Sequence, residues 1–320
     1  MKLEHIKSIS VLGAGIMGHG IAQAFLMGGY AVKLYDIQDS ILETAKAHIR
    51  DNLDLFYDAG LIEKREIEPA LQRLLLTADL RTAALESDFI VEAAPEILTL
   101  KQELFQRVEG LCRKDTIIAS NSSSLTLMAI GARVKRKERL IITHWFNPPH
   151  IVPTVEVVNG QKTNDETMET AFALLEKIRK IPVRINLGLP GFLVNRVQMA
   201  MYREVWDLYE KGVASAQDID RAIRGSIGFR LASIGPLLTA DLAGLDLSLK
   251  AYQNLVPQIR STKSPPKSLK RLVARGHYGI KSGKGLYDYA LDFSKAEMDE
   301  VVKKRDRELL KRLKDEYWDK

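Results

Sequence analysis

The chain has 320 residues, 46% of them hydrophobic and 28% charged, with 21 glycines and 11 prolines. That length suits two domains of roughly 100–200 residues, and the composition excludes collagen-like, low-complexity and intrinsically disordered classes. The formal charge of +6, with both signs interspersed, speaks to solubility and gives no ground for a nucleic-acid partner.

Lys2 and Lys7 ahead of the apolar run Ile9–Gly29 imitate a signal peptide, but the run holds His19, Gln23 and six glycines and has no small-residue cleavage site. No later segment reaches the ~18 apolar residues of a spanning helix. The expectation is a chain with neither targeting peptide nor membrane partner. The single cysteine, Cys112, excludes an internal disulfide and any cysteine-built metal site. It sits on a predicted helix as inert packing, fits a reducing, cytoplasmic setting, and no metal is expected.

Ser8–Leu12 reads as a buried parallel strand, followed by a helix over about Gly15–Gly28 and a second strand, Ala31–Tyr35, ending at Asp36. Ser40–Arg73 reads as two helices turning near Ala59–Gly60. Apolar runs then recur at Leu74–Thr77, Phe89–Ala93, Thr116–Ser120, Leu140–Trp145, Thr154–Val158 and Pro182–Ile185, with helical patterns such as Leu98–Leu111 and Glu166–Arg179 between them. Alternating strands and helices predict a doubly wound, mostly parallel Rossmann-type α/β sheet. After the turn-rich Gly188–Gly191 the pattern becomes all-α: Phe192–Lys211, Ala216–Arg224, Leu237–Ile259 and Lys267–Arg275. A glycine-rich loop, Gly279–Gly285, follows, then a charged helix, Ser294–Lys314. The expected division is 1–187 for the sheet domain and 188–320 for a helical substrate and dimerisation domain.

Gly13-Ala14-Gly15-Ile16-Met17-Gly18 matches G-x-G-x-x-G between a predicted strand and helix, the context that gives this pattern meaning. Gly13 permits the turn, Gly15 lets a pyrophosphate approach, and Gly18 lets the helix close on the strand, with Ile16 and Met17 completing the cofactor-binding turn. Asp36 stands where an acid binds adenine ribose hydroxyls, and no arginine follows it to accept a 2′-phosphate, so NAD is expected over NADP.

Polar residues gather at three predicted strand ends: Glu92–Glu96, Ser120–Ser124 and His144–Pro149. These segments resemble the L-3-hydroxyacyl-CoA dehydrogenase family. So do Val155-Glu156-Val157, Pro190-Gly191-Phe192-Leu193-Val194-Asn195-Arg196, Gly235-Pro236 and Lys281–Tyr287, in family order over residues 9–289. Oxidising a secondary alcohol needs a base, and histidine near its ordinary pKa suits it. His144 is the candidate, with Glu156 on the next strand to hold its other ring nitrogen. The resemblance implies those same roles. It also implies that Ser123 bonds the reacting oxygen and that Asn195 polarises the substrate. Glu96, Asn121 and Asn147 would lie at the cofactor, and the site would form between the domains.

The resemblance implies a hydroxybutyryl-CoA-sized L-3-hydroxyacyl substrate first. Two departures keep a free hydroxy acid open. The helical hairpin that meets CoA in acyl-CoA members here carries Asp51, Asp54 and Asp58, although Lys46, Arg50 and Lys64 stand nearby. Gly228–Pro236 resembles the branch that oxidises free acids, and its Arg230 suits a carboxylate. The basic run Arg133–Arg139 leads into the strand ending at His144, which puts it at the far edge of the sheet as a solvated turn. A homodimer through the helical domain is expected, because family members pair that way and its apolar helices need cover.

Overall fold

The computed structural model describes residues 2–289 and 295–318. Strands β1 (Ser8–Leu12), β2 (Ala31–Tyr35), β3 (Leu74–Thr77), β4 (Phe89–Glu92), β5 (Ile117–Ser120), β6 (Leu140–Trp145), β7 (Thr154–Asn159) and β8 (Ile181–Ile185) form one sheet in the order β3-β2-β1-β4-β5-β6-β7-β8. Every neighbouring pair is parallel except β6 with β7. The order reverses between β1 and β4, so a crevice opens beyond their C-terminal ends, where open α/β sheets bind ligands.

Helices α1 (Gly18–Met27), α2 (Asp39–Asp58), α3 (Lys64–Gln72), α4 (Leu80–Ala84), α5 (Leu98–Leu111), α6 (Leu127–Ile130) and α7 (Asp165–Lys177) connect the strands. They cover both faces, which is why the central strands read as unbroken apolar runs. One core joins alternate strand residues such as Ile9, Val11, Val91 and Ile141 to α1, α2, α3 and α7. The other joins Leu12, Ile90, Ile118 and Ile142 to α4, α5 and α6. Cys112 is buried in the second core. Polar end groups are met locally: Glu63 and Glu66 form a capping box on α3, and the Asn164 side chain accepts from Thr167 N at the start of α7.

The remaining helices are α8 (Val194–Glu210), α9 (Ala216–Ile223), α10 (Phe229–Leu231), α11 (Pro236–Ala243), α12 (Leu245–Leu255), α13 (Lys267–Ala274) and α14 (Lys295–Leu313). The expected single helix Leu237–Ile259 is broken at Gly244, whose φ of +97° a helix interior does not hold. The first residue expected in the last helix, Ser294, lies outside the described residues.

The chain divides into two compact units, one running to Leu193 and resuming at Val302, the other Val194–Val301. This corrects the expected boundaries at the end of the chain. Rather than staying with the helical domain, residues from Val302 onward pack with the sheet unit. Leu310 and Leu313 are buried in a cluster with Leu55, Phe56, Leu61 and Ile151, and Trp318 packs against it. Lys314 Nζ donates to Ala59 O at 3.0 Å and Trp318 Nε1 to Leu61 O at 2.8 Å. Among the described residues no helix is long and apolar enough to cross a membrane.

Candidate active site

The glycine turn sits at the crevice. Gly13 N donates to Tyr35 O at 2.8 Å, and Ala93 N donates to Leu12 O at 2.8 Å, so the turn is held between β2 and β4. Gly13 has φ +105°, and a Cβ there would lie 2.7 Å from Ala93 O. A Cβ on Gly18 would collide with Gly13 O, whereas around Gly15 the space is open. These are the three separate requirements of a dinucleotide turn. Ile16 is 71% exposed, while Met17 packs against the core. Asp36 does a job the sequence did not announce: its Oδ2 accepts from Ala14 N at 2.9 Å and its Oδ1 from Gln38 N at 3.3 Å, tying the end of β2 to the turn.

Two carboxylates organise the next strand ends. Glu92, at the end of β4, is fully buried and accepts from Lys101 Nζ at 2.5 Å, Ser120 Oγ at 2.6 Å and Ala94 N at 2.7 Å. Burial pushes its pKa up, and Lys101 and Ser120 oppose that. Lys101 Nζ also lies 3.3 Å from Glu96 Oε2. Glu96 Oε1 accepts from Ser122 Oγ at 2.5 Å, Ser123 N at 3.2 Å, Ser124 N at 3.1 Å and Ser124 Oγ at 2.9 Å. Partial burial works against the charged form, but the hydrogen bonds from Ser122 and Ser124 outweigh it and hold the carboxyl down to about 2. The serine loop is therefore wrapped around Glu96. Ser122 Oγ also accepts from Leu125 N, while α6 itself is capped by Thr126. Asn121 bridges the strand ends, its N donating to Glu92 O and its Oδ1 accepting from Trp145 N.

His144 and Glu156 are direct partners in the β6–β7 register. Side chains opposed across an antiparallel pair stand close on one face, and here Nδ1 lies 2.7 Å from Glu156 Oε2, with both residues buried. An ionised Glu156 fixes the proton on Nδ1 and leaves Nε2 as the acceptor. Glu156 Oε1 accepts from Leu193 N at 3.0 Å. The imidazole is flanked by Phe146 and Phe192, with ring centroids 4.8 and 5.4 Å away. Phe192 has a left-handed φ of +45°, and Gly191 N donates to Ser123 O at 3.2 Å, so the segment before α8 is fastened to this pair and to the serine loop.

Asn147 is exposed in the loop after β6. Asn195 lies in the first turn of α8, half-buried, and Arg230 lies exposed on α10, both in the second unit. The run Arg133–Arg139 is structural: Arg136 pairs with Glu109, and Arg139 is buried on the carbonyls of Arg113 and Thr116. Sequence reasoning missed Lys101. The signal was a lysine on the buried stripe of α5, in line with Leu98, Leu104 and Phe105.

The family model for the NAD-binding domain of 3-hydroxyacyl-CoA dehydrogenase matches residues 8–187, and the model for its C-terminal domain matches 191–289. The chain belongs to the 3-hydroxyacyl-CoA dehydrogenase family. Its N-terminal unit is accordingly an NAD-binding domain, and the glycine turn fits that cofactor. Among relatives, this family member is 32% identical to the 5-formyl-3-hydroxy-2-methylpyridine 4-carboxylate 5-dehydrogenase of Mesorhizobium japonicum, over 93% of this chain and 96% of that one. It is 35% identical to a probable 3-hydroxybutyryl-CoA dehydrogenase of Bacillus subtilis, over 89% of this chain and 98% of that one. A solved NAD+-dependent 5-formyl-3-hydroxy-2-methylpyridine 4-carboxylic acid 5-dehydrogenase superposes with a TM-score of 0.87 at 30% identity, covering 95% of this chain and 96% of that one. The chain is an oxidoreductase acting on a hydroxyl group.

Proposed function

We propose that the enzyme oxidises the hydroxyl of a small free carboxylic acid through proton transfer at His144. The buried 2.7 Å contact between His144 Nδ1 and Glu156 carries the proton-transfer part of this reading. In the oxidation direction, His144 Nε2 takes the hydroxyl proton while Glu156 keeps Nδ1–H in place and stabilises the imidazolium that results. Ser123 and Asn195 hydrogen-bond the reacting oxygen. Gly13, Gly15, Ile16, Met17, Gly18 and Asp36 hold the adenosine and pyrophosphate of NAD, and Glu96, Asn121 and Asn147 its nicotinamide end. NAD, when bound, accepts the hydride. In the reverse direction the imidazolium returns the proton to the carbonyl oxygen.

Two observations favour the free acid. The α2–α3 hairpin offers an acyl-CoA phosphate little beyond the exposed Lys46 and Lys64: Arg50 is paired to Glu68 at 2.7 Å, and Asp51, Asp54 and Asp58 share the helix with it. The solved pyridine-carboxylic acid enzyme also superposes on this chain with a TM-score of 0.87 over 95% of its length. Arg230 is proposed to pair with the substrate carboxylate. The second reading, an L-3-hydroxyacyl-CoA, is favoured by that same Bacillus relative. A steady-state panel of free hydroxy acids against 3-hydroxybutyryl-CoA decides between them. We expect kcat/KM to be highest for a free acid, to fall at least tenfold in Arg230→Ala, and to vanish in His144→Ala. Faster turnover of the thioester overturns the free-acid reading. Full activity of His144→Ala overturns the mechanism.

We further infer a homodimer through the helical unit, where Leu237 is 85% and Leu242 71% exposed in the single chain. A cytoplasmic setting fits the lone, buried Cys112.

A further inference from the structure

A cavity of about 190 Å³ lies in the sheet unit, away from the His144–Glu156 pair, walled by α1, α2, α3, the end of α7, the segment before β7 and the last residues of the chain. Four cationic side chains line it: Arg73, Lys177, Arg179 and Lys180. Among the described residues none of the four forms an ion pair. The one carboxylate in the lining, Glu66, is turned to its own helix and accepts from Glu63 N at 2.6 Å.

Two of the cations are held inside the fold, Lys180 buried and Arg73 half-buried, while Lys177 and Arg179 stand exposed at the rim. Lys180 is 7% exposed, and its Nζ donates to the carbonyls of Pro149 at 2.7 Å, Val152 at 2.9 Å and His150 at 3.4 Å. Arg73 donates through one terminal nitrogen to Leu26 O at 2.7 Å, but its buried Nε has no partner. A buried guanidinium N–H without an acceptor is rare and calls for a group that would meet it. Arg179 lies flat over the Trp318 ring, 4.7 Å from its centroid. The rest of the lining is apolar, including Leu53, Ile62, Ile178 and Leu313. Leu313 and Trp318 belong to the segment beyond residue 289, outside both matched family domains.

Excess positive charge, an unmet donor and an apolar wall together describe the complement of an amphiphilic anion. We propose that this cavity is a second ligand site for a small carboxylate with an apolar body, its carboxylate between Arg73 and Arg179 and its body against Ile62, Leu313 and Trp318. The site is independent of the dehydrogenase reading, because none of the residues assigned to proton transfer lines it.

Isothermal titration of benzoate, butyrate and inorganic phosphate into the NAD-saturated full chain tests this. A saturable carboxylate site separate from any binding at Arg230 is expected, weakened at least tenfold in Arg73→Met and in Arg179→Met and retained in His144→Ala and Arg230→Ala. Thermal melts of the two arginine variants confirm that they are folded. Three results overturn the proposal: no saturable binding of either carboxylate, binding of phosphate alone, or carboxylate binding that is lost in Arg230→Ala while both arginine variants keep it.

Discussion

A single glutamate, Glu156, spends both carboxylate oxygens on alignment, one on His144 Nδ1 and one on Leu193 N. Glu156→Gln keeps the shape but removes the charge that stabilises the imidazolium. We expect kcat to fall by roughly 10²–10⁴-fold, with the melting temperature little changed, checked by steady-state kinetics beside calorimetry. His150, six positions after His144, behaves differently. It is buried, its Nδ1 has no partner, and burial reinforced by nearby positive charge holds its pKa down to about 3. The unfolded chain therefore takes up a proton below about pH 6.5 that the folded chain refuses, so this group makes stability fall as pH drops from about 6.5 toward 3. His150→Phe is expected to flatten that limb of the stability curve, by up to a few kcal/mol, as read from urea melts across pH. The His144–Glu156 pair was legible because a histidine near the end of one apolar run and a glutamate inside the next stand out from their hydrophobic neighbours. The contact between Asp36 and Ala14 N was not, since a carboxylate that braces a turn and one that waits for a ribose look alike in sequence.

The strands and the long helices were readable because burial on both faces leaves few polar residues in β1, β4, β5 and β6. The departures come where tertiary contact overrides local pattern. On α5, Lys101 occupies a core position because Glu92 and Glu96 converge on its ammonium. Lys101→Met leaves Glu92 a buried, unpaired acid, and ~3–5 kcal/mol of stability should be lost, with much less lost when Glu92→Gln is added, a double-mutant cycle read by denaturant unfolding. At Gly244 the apolar residues continue across a break that only the backbone reveals. The last helix reads as solvated because its stripe is sparse, yet Leu310 is fully buried. Leu310→Ala is expected to cost ~2–5 kcal/mol in the sheet unit, seen as a lowered melting temperature.

At the scale of the whole molecule, the helical unit contains few buried side chains, Ile219 and Ser268 among its described residues. Apart from a polar knot of Arg260 with Asp207 and Glu210, its apolar helices α8, α11 and α12 carry no buried residue in the single chain. Light scattering on the eluted protein should therefore report twice the chain mass, and Leu242→Asp should shift it toward the single-chain value. A monomer in the unmodified protein counts against the pairing.

The interrupted layout of the sheet unit bears on how the protein is made. Domains of a nascent chain tend to fold in order as they leave the ribosome, but here the first unit is completed by residues from Val302 onward, which emerge after the whole helical unit. Until Leu310, Leu313 and Trp318 are out, Phe56, Leu61 and Ile151 lack their cover. The nucleotide-binding half must wait, sticky on one flank, while the whole helical unit is translated. A chain cut near residue 300 would leave that apolar flank open and is expected to aggregate more readily than one that reaches past Trp318.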